Sequence, residues 1–156
     1  MRDPDAVPLV YLDTSVYGRP YDDPTVGANR REIRAVANII QAIGAGEAHL
    51  VSSFAVQEEC ARATPEVRDF EESLRGHAAT VVPPSPEAQA LAARLTEAAG
   101  LKPGESLHVA CAALAGAGEF VSCNPRRLRK QPAIEAALGR PFTMMSPTDF
   151  VREVLA

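Results

Sequence analysis

With 156 residues, 46% of them hydrophobic and 23% charged, the chain has the size and composition of one globular domain that builds its own core without disulfides or structural zinc. A formal charge of −4 excludes a protein that clings to nucleic acid over its whole surface, although basic clusters occur locally at Arg30, Arg31 and Arg34 and at Arg126, Arg127, Arg129 and Lys130. The three cysteines, Cys60, Cys111 and Cys123, lack zinc-site spacing and read as reduced core thiols, and His49, His77 and His108 form no H-E-x-x-H arrangement.

In chain order, Met1 to Asp5 carry no apolar export signal, which together with the lack of a membrane-length apolar segment points to the cytoplasm. The apolar run from Val7 predicts a strand near 7–12, followed by a helix near 28–44, a strand near 48–52, helices near 54–63 and 65–75, and a short strand near 78–82. Helices follow near 86–99 and 104–116, then a strand at 120–122, a helix from about Pro125, a short helix near 131–138, a strand at 142–145 and a closing helix from Pro147. Ser85-Pro86 and Ser146-Pro147 mark two helix starts, each an N-cap hydroxyl with proline at the first helical position. Alternating strands and helices imply an α/β fold, a single domain over 1–156 whose parallel sheet is covered on both faces.

Four positions carry candidate chemistry. Asp13 ends the first strand, where open α/β sheets bind ligands, and Thr14 and Ser15 follow it; the same triplet also fits a strand-to-helix turn that caps backbone N–H groups. Glu58 and Glu59 lie on the helix after Ser53, and Glu59 is preferred because it sits nearer the face defined by Val56, Cys60 and Ala63. Glu105 opens the helix after Pro103-Gly104, where an acidic residue is also favoured by the helix dipole, and His108 one turn on is kept outside the site. Asn124 ends the strand containing Ser122 and precedes Pro125, so it too doubles as a helix cap. Carboxylates that converge repel one another unless a cation joins them, and hard oxygen donors are what Mg²⁺ or Mn²⁺ requires. Neither a P-loop, a G-x-G-x-x-G turn nor a G-x-S-x-G elbow is present, which disfavours nucleotide-binding and serine-hydrolase readings.

This ordered set resembles the PIN-domain ribonucleases, including VapC-like toxins. Leu12-Asp13-Thr14-Ser15 matches the family's first acidic residue with its hydroxyl neighbour, Ser52-Ser53 with Glu59 looks like its second-strand serine and helix glutamate, Glu105-Ser106-Leu107-His108 resembles its Asp-Ala-Leu-His segment, and Val121-Ser122-Cys123-Asn124 resembles its Thr-x-Asp strand end. The resemblance implies a three-layer α/β/α PIN-like fold with a central parallel sheet of four to five strands. It also implies metal-dependent hydrolysis of RNA, with Asp13 and Glu105 binding Mg²⁺ or Mn²⁺ directly and Glu59 and Asn124 directly or through water. Thr14, Ser15, Ser122 and Glu58 would support that site, and Arg126, Arg127 and Arg129 would hold RNA phosphates. An antitoxin protein and a second copy of the chain are the expected partners, with no membrane. Glu105 and Asn124 both stand where the family has aspartate; the first extends the carboxylate by about 1.5 Å against a tolerance of about 0.5 Å, and the second removes a charge. These departures define the alternative, a PIN-like RNA-binding or protein-interaction module with weakened chemistry.

Overall fold

The computed structural model describes residues 6–156; Met1 to Asp5, where the sequence lacks an export signal, lie outside them. Five strands, β1 (Leu9–Leu12), β2 (His49–Ser53), β3 (Ala78–Val82), β4 (Glu119–Val121) and β5 (Thr143–Met145), form one sheet in the order β3-β2-β1-β4-β5. Every pairing is parallel. The helices are α1 (Thr14–Gly18), α2 (Gly27–Gly44), α3 (Phe54–Ala61), α4 (Pro65–Arg75), α5 (Pro86–Ala99), α6 (Pro103–Leu114), α7 (Pro125–Leu128), α8 (Gln131–Leu138) and α9 (Pro147–Phe150).

From β1 the chain moves outward through β2 to β3, then returns to the other side of β1 and moves outward again through β4 to β5. With right-handed crossovers the two directions place their helices on opposite faces, the expected three-layer α/β/α arrangement. The packing agrees: α2 meets α9, while α5 meets α6 and α8. The strand order reverses between β1 and β4, and the carboxyl ends of strands at such a reversal are where open α/β sheets bind ligands.

Burial on both faces explains the unbroken apolar reading of the central strand: Val10, Tyr11 and Leu12 are almost completely inaccessible. Tyr11 pairs with Phe120 in the β1–β4 register and their rings stack with centroids 5.3 Å apart. On α2 the buried residues Ala35, Val36, Ile39, Ala42 and Ile43 recur with helical period and form one stripe against the sheet. No helix among the described residues is long and apolar enough to cross a membrane.

Three boundaries differ from expectation for local reasons. The first strand begins at Leu9 rather than Val7, because Pro8 has no N–H for the ladder, although its carbonyl still accepts from His49 N–H at 2.8 Å. A five-residue helix, α1, follows β1 where a turn was expected, since Asp13 accepts the Ser15 N–H at 3.0 Å as its cap. The closing helix runs past Phe150 into a π-helical turn, Val151–Leu155. The expected caps form, with Ser85 accepting from Ala88 N–H at 3.0 Å and Ser146 from Asp149 N–H at 3.1 Å.

All three cysteines are free and buried, as expected. Burial pushes the Cys60 thiol up to about 12 and those of Cys111 and Cys123 up to about 11. The thiolate is the reactive form, so the native protein is expected to resist iodoacetamide at about pH 8 and to take up three labels only after unfolding. Mass spectrometry counts the labels, and fast modification of any thiol in the native state would contradict the packing.

Candidate active site at the strand tips

Asp13 is wholly buried at the tip of the central strand, and two neighbouring strand ends fix its orientation. Its Oδ1 accepts from the Ser15 N–H and forms a short hydrogen bond with the Ser15 hydroxyl. The same hydroxyl oxygen accepts the Cys123 N–H at 2.9 Å and lies 3.4 Å from Ser122 Oγ, while Ser122 Oγ accepts the Asn124 N–H at 3.1 Å. Ser15 and Ser122 thereby tie the ends of β1 and β4 together around one carboxylate.

The other Asp13 oxygen, Oδ2, accepts from Arg127 Nη1 at 2.5 Å, and Arg127 Nε points to Glu105 Oε2 at 3.3 Å. One guanidinium thus joins a strand-tip carboxylate to a carboxylate in the first turn of α6. Arg127 comes from α7, a four-residue helix opened by Pro125 and capped by Asn124, whose Oδ1 accepts the Arg126 N–H at 3.0 Å. Burial works against the Arg127 charge, but Asp13 and then Glu105 outweigh it and raise the pKa of the guanidinium. Lys130 Nζ stands 3.8 Å from Glu105 Oε1, adding a second cation at the rim.

Glu59 belongs to an adjoining network. Its Oε1 lies 2.9 Å from His108 Nε2, His108 Nδ1 lies 2.7 Å from Tyr11 Oη, and Tyr11 Oη lies 2.7 Å from Ser53 Oγ. Every member is satisfied when His108 Nε2–H donates to Glu59, Tyr11 donates to Nδ1, Ser53 donates to Tyr11, and Ser53 Oγ accepts the Val56 N–H as the cap of α3. Burial alone would raise the Glu59 carboxyl; the hydrogen bond from His108, together with Thr14 and Arg127, outweighs it and holds the carboxyl below the usual carboxylate range. Glu59 Oε1 also lies 3.8 Å from where a Cβ on Gly104 would sit, so α3 and the start of α6 meet at this carboxylate.

The sequence-derived positions are therefore brought together unevenly. Asp13, Glu105 and Arg127 share direct ion pairs, and Glu59 stands beside them within the electrostatic reach of Arg127. Glu58 is exposed on the outer side of α3. The amide oxygen of Asn124 is occupied as a helix cap, and Arg126 and Arg129 are exposed on the same connection. His108, kept outside the site by the sequence reading, is buried and bonded to Glu59, with Thr14 Oγ1 3.4 Å away. Its signal was present in the spacing: Glu105 and His108 are three residues apart on one helix, which puts both side chains on one face.

Mg²⁺ is commonly held by one or two carboxylates, with water and substrate oxygens completing its shell. Asp13 and Glu105 supply such a pair, converging on a single positive group. Among the described residues no group of three or more His, Cys, Asp or Glu side chains is arranged to hold a metal ion. The donors are thus a pair of carboxylates, both engaged by the Arg127 guanidinium, and they do not form the four-residue cluster expected from the sequence. No family model matches the chain, and none of the curated proteins compared with it matches.

Proposed function

We propose that the chain is a divalent-metal-dependent endoribonuclease of the PIN type, with Asp13 and Glu105 as metal ligands. The observation that carries this reading is the convergence of those two carboxylates on one cation at the carboxyl end of the sheet, beside the point where strand order reverses. A bound Mg²⁺ or Mn²⁺ would supply Lewis acidity toward a phosphate and acidify a water molecule. Ser15 and Ser122 hold Asp13 in one orientation, so its outer oxygen is preset for a cation. Glu59 is ionised and half-exposed, and His108 fixes its carboxylate where it can orient or deprotonate a water. Once displaced from Asp13 and Glu105, Arg127 can pair with a substrate phosphate, which its guanidinium can grip with two parallel hydrogen bonds. An antitoxin, a second copy of the chain and a cytoplasmic location belong to this same reading.

Incubating the purified protein with single-stranded RNA in Mg²⁺ is expected to give endonucleolytic fragments, and EDTA or Glu105→Gln should reduce their rate at least about 100-fold. Cleavage that persists in EDTA at the original rate would remove the mechanism.

A specific observation favours a second reading, that of an RNA-binding or protein-interaction module with weakened chemistry. Arg127 already pairs with both carboxylates, and Asn124 brings no charge and spends its amide oxygen on a cap. Calorimetric titration with Mn²⁺ separates the two: undetectable metal binding alongside tight RNA binding supports the module.

A further inference from the structure

We propose that the trough between α2 and the C-terminal helical segment is the seat of a single-stranded RNA backbone, with Arg31 and Arg34 gripping its phosphates. This rests on the RNA substrate proposed above and names the path by which the strand reaches the site. Three hollows adjoin along one side of α2. The first, of about 370 Å³, lies against Cys123 and Pro125 and shares Arg31 and Thr148 with a second of about 270 Å³; the second shares Asn38 and Val151 with a third that extends to Ala45.

On α2 the lining positions Ala28, Arg31, Ala35, Asn38, Ala42 and Ala45 recur at alternating intervals of three and four, which makes one straight seam. At 1.5 Å per residue the seam spans roughly 25 Å, enough for several nucleotides. Its near end is beside the candidate site, since Cys123 N–H is bonded to the Ser15 hydroxyl that holds Asp13, and Pro125 opens the helix carrying Arg127.

The charges in the trough differ in whether they are available. Arg19 is engaged by Asp22 at 2.8 Å and Glu32 at 3.1 Å, and Arg152 by Asp149 at 2.6 Å and Glu153 at 3.2 Å. Arg31 and Arg34 are exposed, one helical turn apart, and neither makes an ion pair with a described residue. Two exposed guanidiniums with no ion pair to a described residue, Arg31 also lying within electrostatic reach of Glu32, form a local positive site in a chain of net charge −4 that an anionic polymer complements. The rest of the middle hollow is Ala35, Asn38, Thr148, Val151 and the paired Arg152, with no carboxylate to repel a backbone; Glu32, engaged by Arg19, lines the first hollow and Glu47 the third. Phosphate contacts of this kind position a strand without reading its sequence.

The test is fluorescence anisotropy of a labelled oligouridylate with the full chain in EDTA, so that binding is read without cleavage. Arg31→Ala/Arg34→Ala is expected to weaken binding about tenfold at low salt and to flatten the plot of log affinity against log salt by about 0.7 for each lost contact. Arg68→Ala/Arg94→Ala, a matched loss of charge elsewhere, should leave both unchanged. An unchanged affinity and salt slope for the trough variant would overturn the proposal, as would tight binding of a labelled polyglutamate together with no binding of the oligouridylate. Wild-type protein that binds RNA through this trough but does not cut it in Mg²⁺ would sink the nuclease reading alone; cutting with binding indifferent to both arginines would sink the trough alone.

Discussion

Arg127→Ala is expected to tighten Mn²⁺ binding by at least about tenfold while lowering the thermal stability of the metal-free protein. The guanidinium lies 2.5 Å from Asp13 Oδ2 and 3.3 Å from Glu105 Oε2, so an ion approaching either oxygen meets a positive charge already in contact. At about 4 Å and an effective dielectric of about 20, a unit charge pair is worth about 4 kcal/mol, enough for the resident cation to compete seriously with an incoming one. Removing it frees the oxygens and abolishes the repulsion, which is why affinity should rise. The same change leaves the buried Asp13 carboxylate without a counter-ion and Glu105 with only Lys130 at 3.8 Å, at a cost of about 3–5 kcal/mol. Added Mn²⁺ should then restore the melting temperature by mass action, and by more in the variant than in the wild type. Calorimetry and differential scanning read the two effects separately. Equal or weaker Mn²⁺ affinity in the variant would show that the guanidinium does not occupy the place an ion would take.

The contrast between what the sequence told and what it withheld follows from the physics of each contact. The parallel sheet was legible because its strands are short apolar runs between helical periodicities, and the caps at Ser85 and Ser146 were legible because capping is a local act of neighbouring residues. Glu59 was preferred over Glu58 from helical phase alone, and the inward placement follows that phase. The Arg127 bridge was not legible as a bridge: Asp13 and Arg127 are 114 positions apart, and no period in a sequence states where a flexible basic side chain will rest. The sequence sets Arg127 at a phosphate, and in the structure its guanidinium rests on the carboxylates. The sequence keeps His108 outside the site, because a lone helical histidine is more often packed or hydrogen-bonded than a ligand. It is both, and its particular partners, Tyr11 and Glu59, come from a strand and a helix that only the fold brings to it.

Asp13 separates folding from chemistry when it is replaced in two ways. Asp13→Asn keeps an amide oxygen that can accept from the Ser15 N–H, and asparagine caps helices about as well as aspartate, so α1 should persist. The charge facing Arg127 is lost, yet Glu105 still pairs with that guanidinium, which limits the loss of stability to about 1–2 kcal/mol. Asp13→Ala removes the cap as well, costing about 1 kcal/mol more, and leaves the Ser15 hydroxyl and N–H without their acceptor in a site 0% exposed at residue 13. Both variants should lose RNA cleavage by at least about 100-fold, because neither offers an anionic oxygen at the strand tip. Chemical denaturation is expected to rank wild type above Asp13→Asn and Asp13→Ala last, whereas cleavage should place the two variants together. If Asp13→Asn cut RNA at the wild-type rate, the strand-tip charge would have no part in catalysis; if Asp13→Ala matched the wild type in stability, the capped and ion-paired carboxylate would not be holding the ends of β1 and β4 together.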